Sequence, residues 1–142
     1  DKDFVIPFGH ARLTRSGGDI TLVSSGLLLG RCEAVADKLA AEGIGCDVID
    51  LRTTSPLDEE TILDSVEETG RIIVVDEAPP RCGLAVDICA LAANKAFSSL
   101  IAPPQAVTAP HTPIPFAREL ESAYLPSKDA IEAAVRKSLN WR

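Results

Sequence analysis

Gly70-Arg71-Ile72-Ile73-Val74-Val75-Asp76-Glu77-Ala78 is the stretch on which the fold turns. Its four consecutive β-branched residues, bounded by a glycine and two carboxylates, carry no polar alternation. A strand with one wet face would alternate, so this run predicts a central parallel strand buried on both faces. Such a strand needs parallel neighbours, and parallel neighbours need helical crossovers.

Upstream of it, Ile62, Leu63 and Val66 give one apolar side to a helix that Asp58, Glu59 and Glu60 open with favourable negative charge and Gly70 stops. Cys46 to Leu51 is the preceding strand. Before that, Leu28, Cys32, Val35 and Leu39 recur at helical spacing, with Arg31, Lys38 and Glu42 off the stripe and Gly43 at its end. Ile20 to Ser24 reads as a strong strand, Ser16 to Asp19 as a turn, and Ala11 to Arg15 as a short first strand.

Downstream, Leu84, Ile88, Leu91 and Lys95 mark a third helix whose alanines let it pack close to the sheet, and Gln105 to Thr108 is a weaker last strand. Residues 109–115 hold three prolines, which fix φ and steer their neighbours away from the helix, so a semi-rigid extended loop follows. Ser127 is placed to cap a closing helix with Ile131, Val135 and Leu139 on its buried stripe. Strands alternating with helices predict an α/β fold, a three-layer α/β/α sandwich around a mostly parallel sheet.

The chain has 142 residues, one domain's worth, and residues 11–142 are expected to form it. Residues 1–10 carry Pro7 and Gly9 without helical period and read as a linker arm. Methionine is absent even at position 1, which leads us to expect a piece excised from a longer chain. The net charge of −7 would repel a phosphate backbone or an anionic membrane, so neither nucleic acid nor membrane is an expected partner. The apolar runs are far shorter than a membrane span, and no secretion signal is seen. The four cysteines, Cys32, Cys46, Cys82 and Cys89, lack a Cys-x-x-Cys pair, so buried reduced thiols in a cytoplasmic protein are expected, and no metal site.

Ligands of open α/β sheets gather beyond the carboxyl ends of the strands, here Ser24 to Gly26, Arg52-Thr53 and Asp76 to Cys82. Asp76 and Glu77 are adjacent, and in a strand they point to opposite faces, which suits capping or ion pairing better than paired acid-base work. Cys82 could be a thiolate favoured by a helix N-terminus and Arg81, with His111 as base, although nothing in the spacing brings the two together. The Ser24 to Gly30 turn has two glycines and matches neither a dinucleotide fingerprint nor a P-loop. A thiol enzyme built on Cys82 and an independent nucleotide-binding module are therefore the alternative readings.

Four segments nevertheless carry a family likeness: Asp19 to Gly26, Val48-Ile-Asp-Leu-Arg-Thr-Thr-Ser-Pro-Leu57, Gly70 to Ala78, and Thr108-Ala-Pro-His-Thr-Pro-Ile-Pro-Phe116 with Tyr124-Leu-Pro-Ser127 behind it. In order, they resemble the C-terminal domain of the β subunits of thiamine-diphosphate-dependent 2-oxo acid dehydrogenases. Arg81-Cys82 and His111 look more like the acetoin dehydrogenase branch; pyruvate and branched-chain relatives more often have glycines near Cys82 and an Asp at the place of His111.

The resemblance implies the transketolase C-terminal fold, with five strands in the order one-three-two-four-five and the first antiparallel. It further implies that thiamine diphosphate and magnesium are bound elsewhere in the full enzyme, beside a missing N-terminal pyrimidine domain that residues 1–10 would follow. No catalytic, cofactor-binding or metal-binding residue carries over to this chain. The implied partners are an α subunit, a second β subunit in an α2β2 assembly, and the dihydrolipoamide acyltransferase core of a multienzyme complex. Glu77, Arg81, Cys82 and His111 are the residues expected at an interface or cleft.

Overall fold

The computed structural model describes residues 5–141. Five strands, β1 (Arg12–Arg15), β2 (Ile20–Ser24), β3 (Cys46–Asp50), β4 (Ile72–Asp76) and β5 (Gln105–Thr108), alternate with α1 (Gly26–Ala40), α2 (Glu59–Thr69) and α3 (Leu84–Lys95), and α4 (Arg118–Tyr124) and α5 (Lys128–Leu139) close the chain. The sheet order is β1-β3-β2-β4-β5. β1 runs antiparallel to β3 with a register irregularity between Leu13 and Arg15, and the other pairs are parallel.

The deciding strand does what its apolar run demands. Ile73 and Val75 join a core with Leu22, Val48, the α1 stripe Leu28, Cys32, Val35 and Leu39, and Ile131 and Val135 of α5. Ile72 and Val74 point the other way, into a second core with Val23, Ile49, Ile62 and Val66 of α2, and Ala85, Ile88 and Ala92 of α3. α1 and α5 thus cover one face and α2 and α3 the other. Each large aliphatic side chain so buried contributes about 1.5–3 kcal/mol.

Helix ends follow the expected chemistry. Asp58 caps α2, accepting from the Thr61 amide at 3.1 Å, and Gly70 ends that helix in the left-handed region at φ 67°. The Ser127 hydroxyl accepts from the Ala130 amide at 3.1 Å, as anticipated for α5. α3 differs from expectation: its buried residues are Ala85, Ile88 and Ala92, with Leu84 and Leu91 half-buried on the flanks and Lys95 exposed. Small side chains on the inner line let the helix sit close to the sheet, and the leucines then reach sideways.

A polar chain crosses the second core. Thr21 of β2 hydrogen-bonds Ser65 at 2.7 Å and Thr69 at 2.8 Å; Ser65 donates to Asp47 at 2.7 Å; Asp47 accepts from the Gly17 and Gly18 amides at 2.8 and 3.3 Å. All four side chains are buried, so their mutual bonds offset the cost of desolvation. The same turn brings Gly17 so close to Gly45 and Cys46 that neither glycine has room for a Cβ.

Candidate functional site: the cleft at the sheet's switch point

β2 and β4 are neighbours, yet the chain leaves them in opposite directions, through α1 to β3 on one side and through α3 to β5 on the other. A crevice opens where such connections diverge. Here it is a cleft of about 480 Å³. Leu27 borders it from the start of α1, Asp76, Glu77, Ala78 and Pro79 from the end of β4, Ile114 from the proline-rich loop, and Glu121, Tyr124 and Leu125 from α4 and its end.

Its walls are braced. The Tyr124 hydroxyl donates to the Thr112 carbonyl at 3.4 Å, tying the proline-rich loop to α4. Arg31 of α1 donates to the carbonyls of Leu125 at 3.4 Å and Pro126 at 2.5 Å, fixing the segment behind α4. Ser24 donates to the Val75 carbonyl at 2.9 Å, tying the ends of the two strands together.

Asp76 has a capping role, one of the two structural roles its position suggested. Its carboxylate accepts from the Ala78 amide at 3.1 Å and the Ala85 amide at 3.3 Å, serving the first turn of α3, whose N-cap Gly83 has no side chain to offer.

Of the four residues singled out from sequence, Glu77 lines the cleft, whereas Arg81, Cys82 and His111 are exposed and line none of it. Cys82 lies before the N-cap of α3 rather than in its first turn, at φ 55°, a left-handed conformation uncommon for a side-chain-bearing residue. Among the described residues no hydrogen bond joins Cys82 to His111. Cys82 also departs from the expectation of four buried thiols: all four are free, but Cys32 and Cys46 are buried, Cys89 is half-buried and Cys82 is exposed. Burial pushes the Cys32 thiol up to about 12 and those of Cys46 and Cys89 up to about 11.

Sequence reasoning missed α4, which supplies Glu121 and Tyr124 to the cleft. Acidic Glu119 and Glu121 in its first turn were the available signal. Among the described residues no group of three or more His, Cys, Asp or Glu side chains is placed to hold a metal ion. No helix among them is long and apolar enough to cross a membrane.

A second hollow, apolar and about 390 Å³, lies near the opposite end of β5, between Phe97, Ile101, Pro104 and Trp141. Near the first strand, residues 5–10 form neither helix nor strand, and the arm is tied down at Gly9, whose amide donates to Thr53 at 2.9 Å. Residues 1–4 of the expected linker arm lie outside the described residues.

A five-stranded sheet in this order, with an antiparallel first strand and helices on both faces, is the architecture of one class, and the chain belongs to it: residues 9–131 match the transketolase C-terminal domain family. Within that class the chain is 50% identical over 136 residues to the β subunit of acetoin:2,6-dichlorophenolindophenol oxidoreductase from Cupriavidus necator, covering 96% of this chain and 40% of the relative. It is 42% identical over 142 residues to the pyruvate dehydrogenase E1 component subunit beta of Bacillus subtilis, covering 99% and 43%. It therefore spans about two fifths of the length of these relatives. Among solved structures, a split-gene transketolase described as an inactive beta4 tetramer superposes with a TM-score of 0.82 at 24% identity, covering 99% of this chain and 45% of that one. Transketolase from Campylobacter jejuni gives 0.57 at 14% identity, over 91% and 18%. Both share the fold.

Proposed function

We propose that this chain serves as the C-terminal assembly domain of the β subunit of a thiamine-diphosphate-dependent dehydrogenase that cleaves acetoin or pyruvate. The observation that carries the reading is the 50% identity to an acetoin-oxidoreductase β subunit across 96% of the chain. The lower figure for the pyruvate dehydrogenase subunit, 42%, together with Arg81-Cys82 and His111, favours acetoin.

In this reading the complete enzyme removes an acyl group with thiamine diphosphate and magnesium held outside this chain, then passes it to lipoamide. The domain's work is to join an α subunit and a second β subunit and to help dock the acyltransferase core. The net charge of −7 favours a basic docking partner by speeding encounter. Exposed Phe97, Ile101 and Trp141 around the apolar hollow supply a surface on which two copies can pair. A cytoplasmic setting is part of the same proposal.

The experiment is a hybrid subunit in which this chain replaces the matching segment of the Cupriavidus necator β subunit. Mixed with the α subunit, the hybrid is expected to co-elute with it and to support dichlorophenolindophenol reduction by acetoin, while the chain alone supports no dye reduction. A folded hybrid that fails to join the α subunit, or an isolated chain that reduces the dye with acetoin, overturns the reading.

A further inference from the structure

The cleft between the carboxyl ends of β2 and β4 combines acidic and apolar walls. Its charged lining is acidic, from Asp76, Glu77 and Glu121, and among the described residues no lysine, arginine or histidine lines it. Asp76 is committed to the amides of Ala78 and Ala85. The carboxylates of Glu77 and Glu121 make no ion pair among the described residues. Beside them stand the apolar walls formed by Leu27, Ile114 and Leu125.

We propose that this cleft binds a polypeptide segment presenting an arginine or lysine next to a bulky apolar side chain. Two carboxylates in a concave site focus negative potential, and among the described residues of a chain of net charge −7 no cation lines the cleft to neutralise it. The long aliphatic stem of a basic residue and its apolar neighbour match the walls while the charged head meets the carboxylates.

The openness of the site selects a segment over a small organic cation. Leu27 is 63% and Ile114 71% exposed, so the mouth is wide and apolar. Small-molecule sites bury about 70–90% of their ligand, which this mouth cannot do. A polypeptide running across the cleft covers both residues. The bracing of the walls by Tyr124 and Arg31 lowers the ordering cost of binding. The inference stands on the cleft of this chain and does not depend on the subunit assignment.

The test is a titration of the isotopically labelled chain with N-acetyl-Leu-Arg-amide, followed by amide chemical shifts. Shifts confined to residues around Leu27, Ala78, Ile114 and Glu121 are expected. A Glu77→Gln, Glu121→Gln double variant, whose other resonances should stay in place because both side chains are exposed, is expected to bind roughly five- to tenfold more weakly. No saturable shift, shifts centred elsewhere, equal binding by the double variant, or equal binding of N-acetyl-Leu-Glu-amide each overturns the proposal. So does ethylguanidinium binding as tightly as the dipeptide, because the site would then read charge without a neighbouring side chain.

Discussion

The Asp58 carboxylate accepts a hydrogen bond from the amide of Ala11, 47 residues earlier, at 2.8 Å, and so ties the entry to the first strand to the start of α2. The same side chain takes the Thr61 amide at 3.1 Å and its hydroxyl at 2.8 Å. One residue therefore serves as helix cap and as clasp.

Asp58→Ala should cost about 1–2 kcal/mol, the range for loss of a helix cap, measured by urea unfolding at neutral pH. Burial raises the Asp58 pKa, but the Ala11 and Thr61 hydrogen bonds lower it further, and it ends below its ordinary 3.8. A folded pKa below the unfolded one gives stability that is present above pH 3.8 and is lost as pH falls through the folded value. The gap between wild type and variant should thus close in strong acid. A gap that stays constant down to that range would show that protonation of Asp58 is not involved.

Gly17 and Gly18 are adjacent but should respond differently to alanine. A Cβ on Gly17 would overlap the backbone at Gly45 and Cys46, whereas one on Gly18 meets nothing within 4 Å and suffers only from φ 86°. Gly18→Ala should cost about 1–2 kcal/mol through the left-handed backbone, and Gly17→Ala distinctly more, because backbone has to move. Thermal unfolding of the pair ranks them, and the reverse order would mean that the turn does not pack as described.

Much of this architecture is legible in the sequence because a single periodicity carries it. The unbroken Ile72 to Val75 run gave a strand buried on both faces, and the Leu28, Cys32, Val35, Leu39 stripe gave α1 its inner side. Two layers of helix follow from those two facts. The site was only half legible: Glu77 was placed at the cleft by its position past β4, but α4 has just one buried residue, Tyr124, so no apolar period announced it. The alanine content of α3 announces its close approach to the sheet, but its buried line runs through Ala85, Ile88 and Ala92 rather than Leu84 and Leu91, because leucine outweighs alanine in a hydrophobic pattern while alanine fits the contact. The Thr21, Ser65 and Asp47 chain was invisible because partners 44 and 18 residues apart meet only once the sheet has formed.

That buried chain makes its own prediction. Thr21→Val keeps the shape but removes the oxygen shared by Ser65 and Thr69, at 2.7 and 2.8 Å. Ser65 retains Asp47, and Thr69 retains backbone carbonyls of Ser65 and Arg71, so each loses one of several partners. A loss of about 1–2 kcal/mol is expected in urea unfolding, against about 2–5 kcal/mol for Ile73→Ala in the apolar core. A Thr21→Val variant as damaged as Ile73→Ala would mean that the hydroxyl holds more of the second core together than its bonds suggest.

The thiols give the last prediction. Cys32, Cys46 and Cys89 are held as thiols by burial, with pKa values pushed up to about 12, 11 and 11, so almost none of their thiolate forms near neutral pH. Cys82 is exposed beside Arg81. A disulfide reagent at mildly alkaline pH should therefore modify one thiol of the native chain quickly, identified as Cys82 by mass spectrometry, and reach the other three only after denaturant is added. Cys82→Ser should abolish the fast phase and leave the slow one unchanged. If Cys89, the half-buried one, reacted in the fast phase too, its partial burial on α3 would not be enough to protect it.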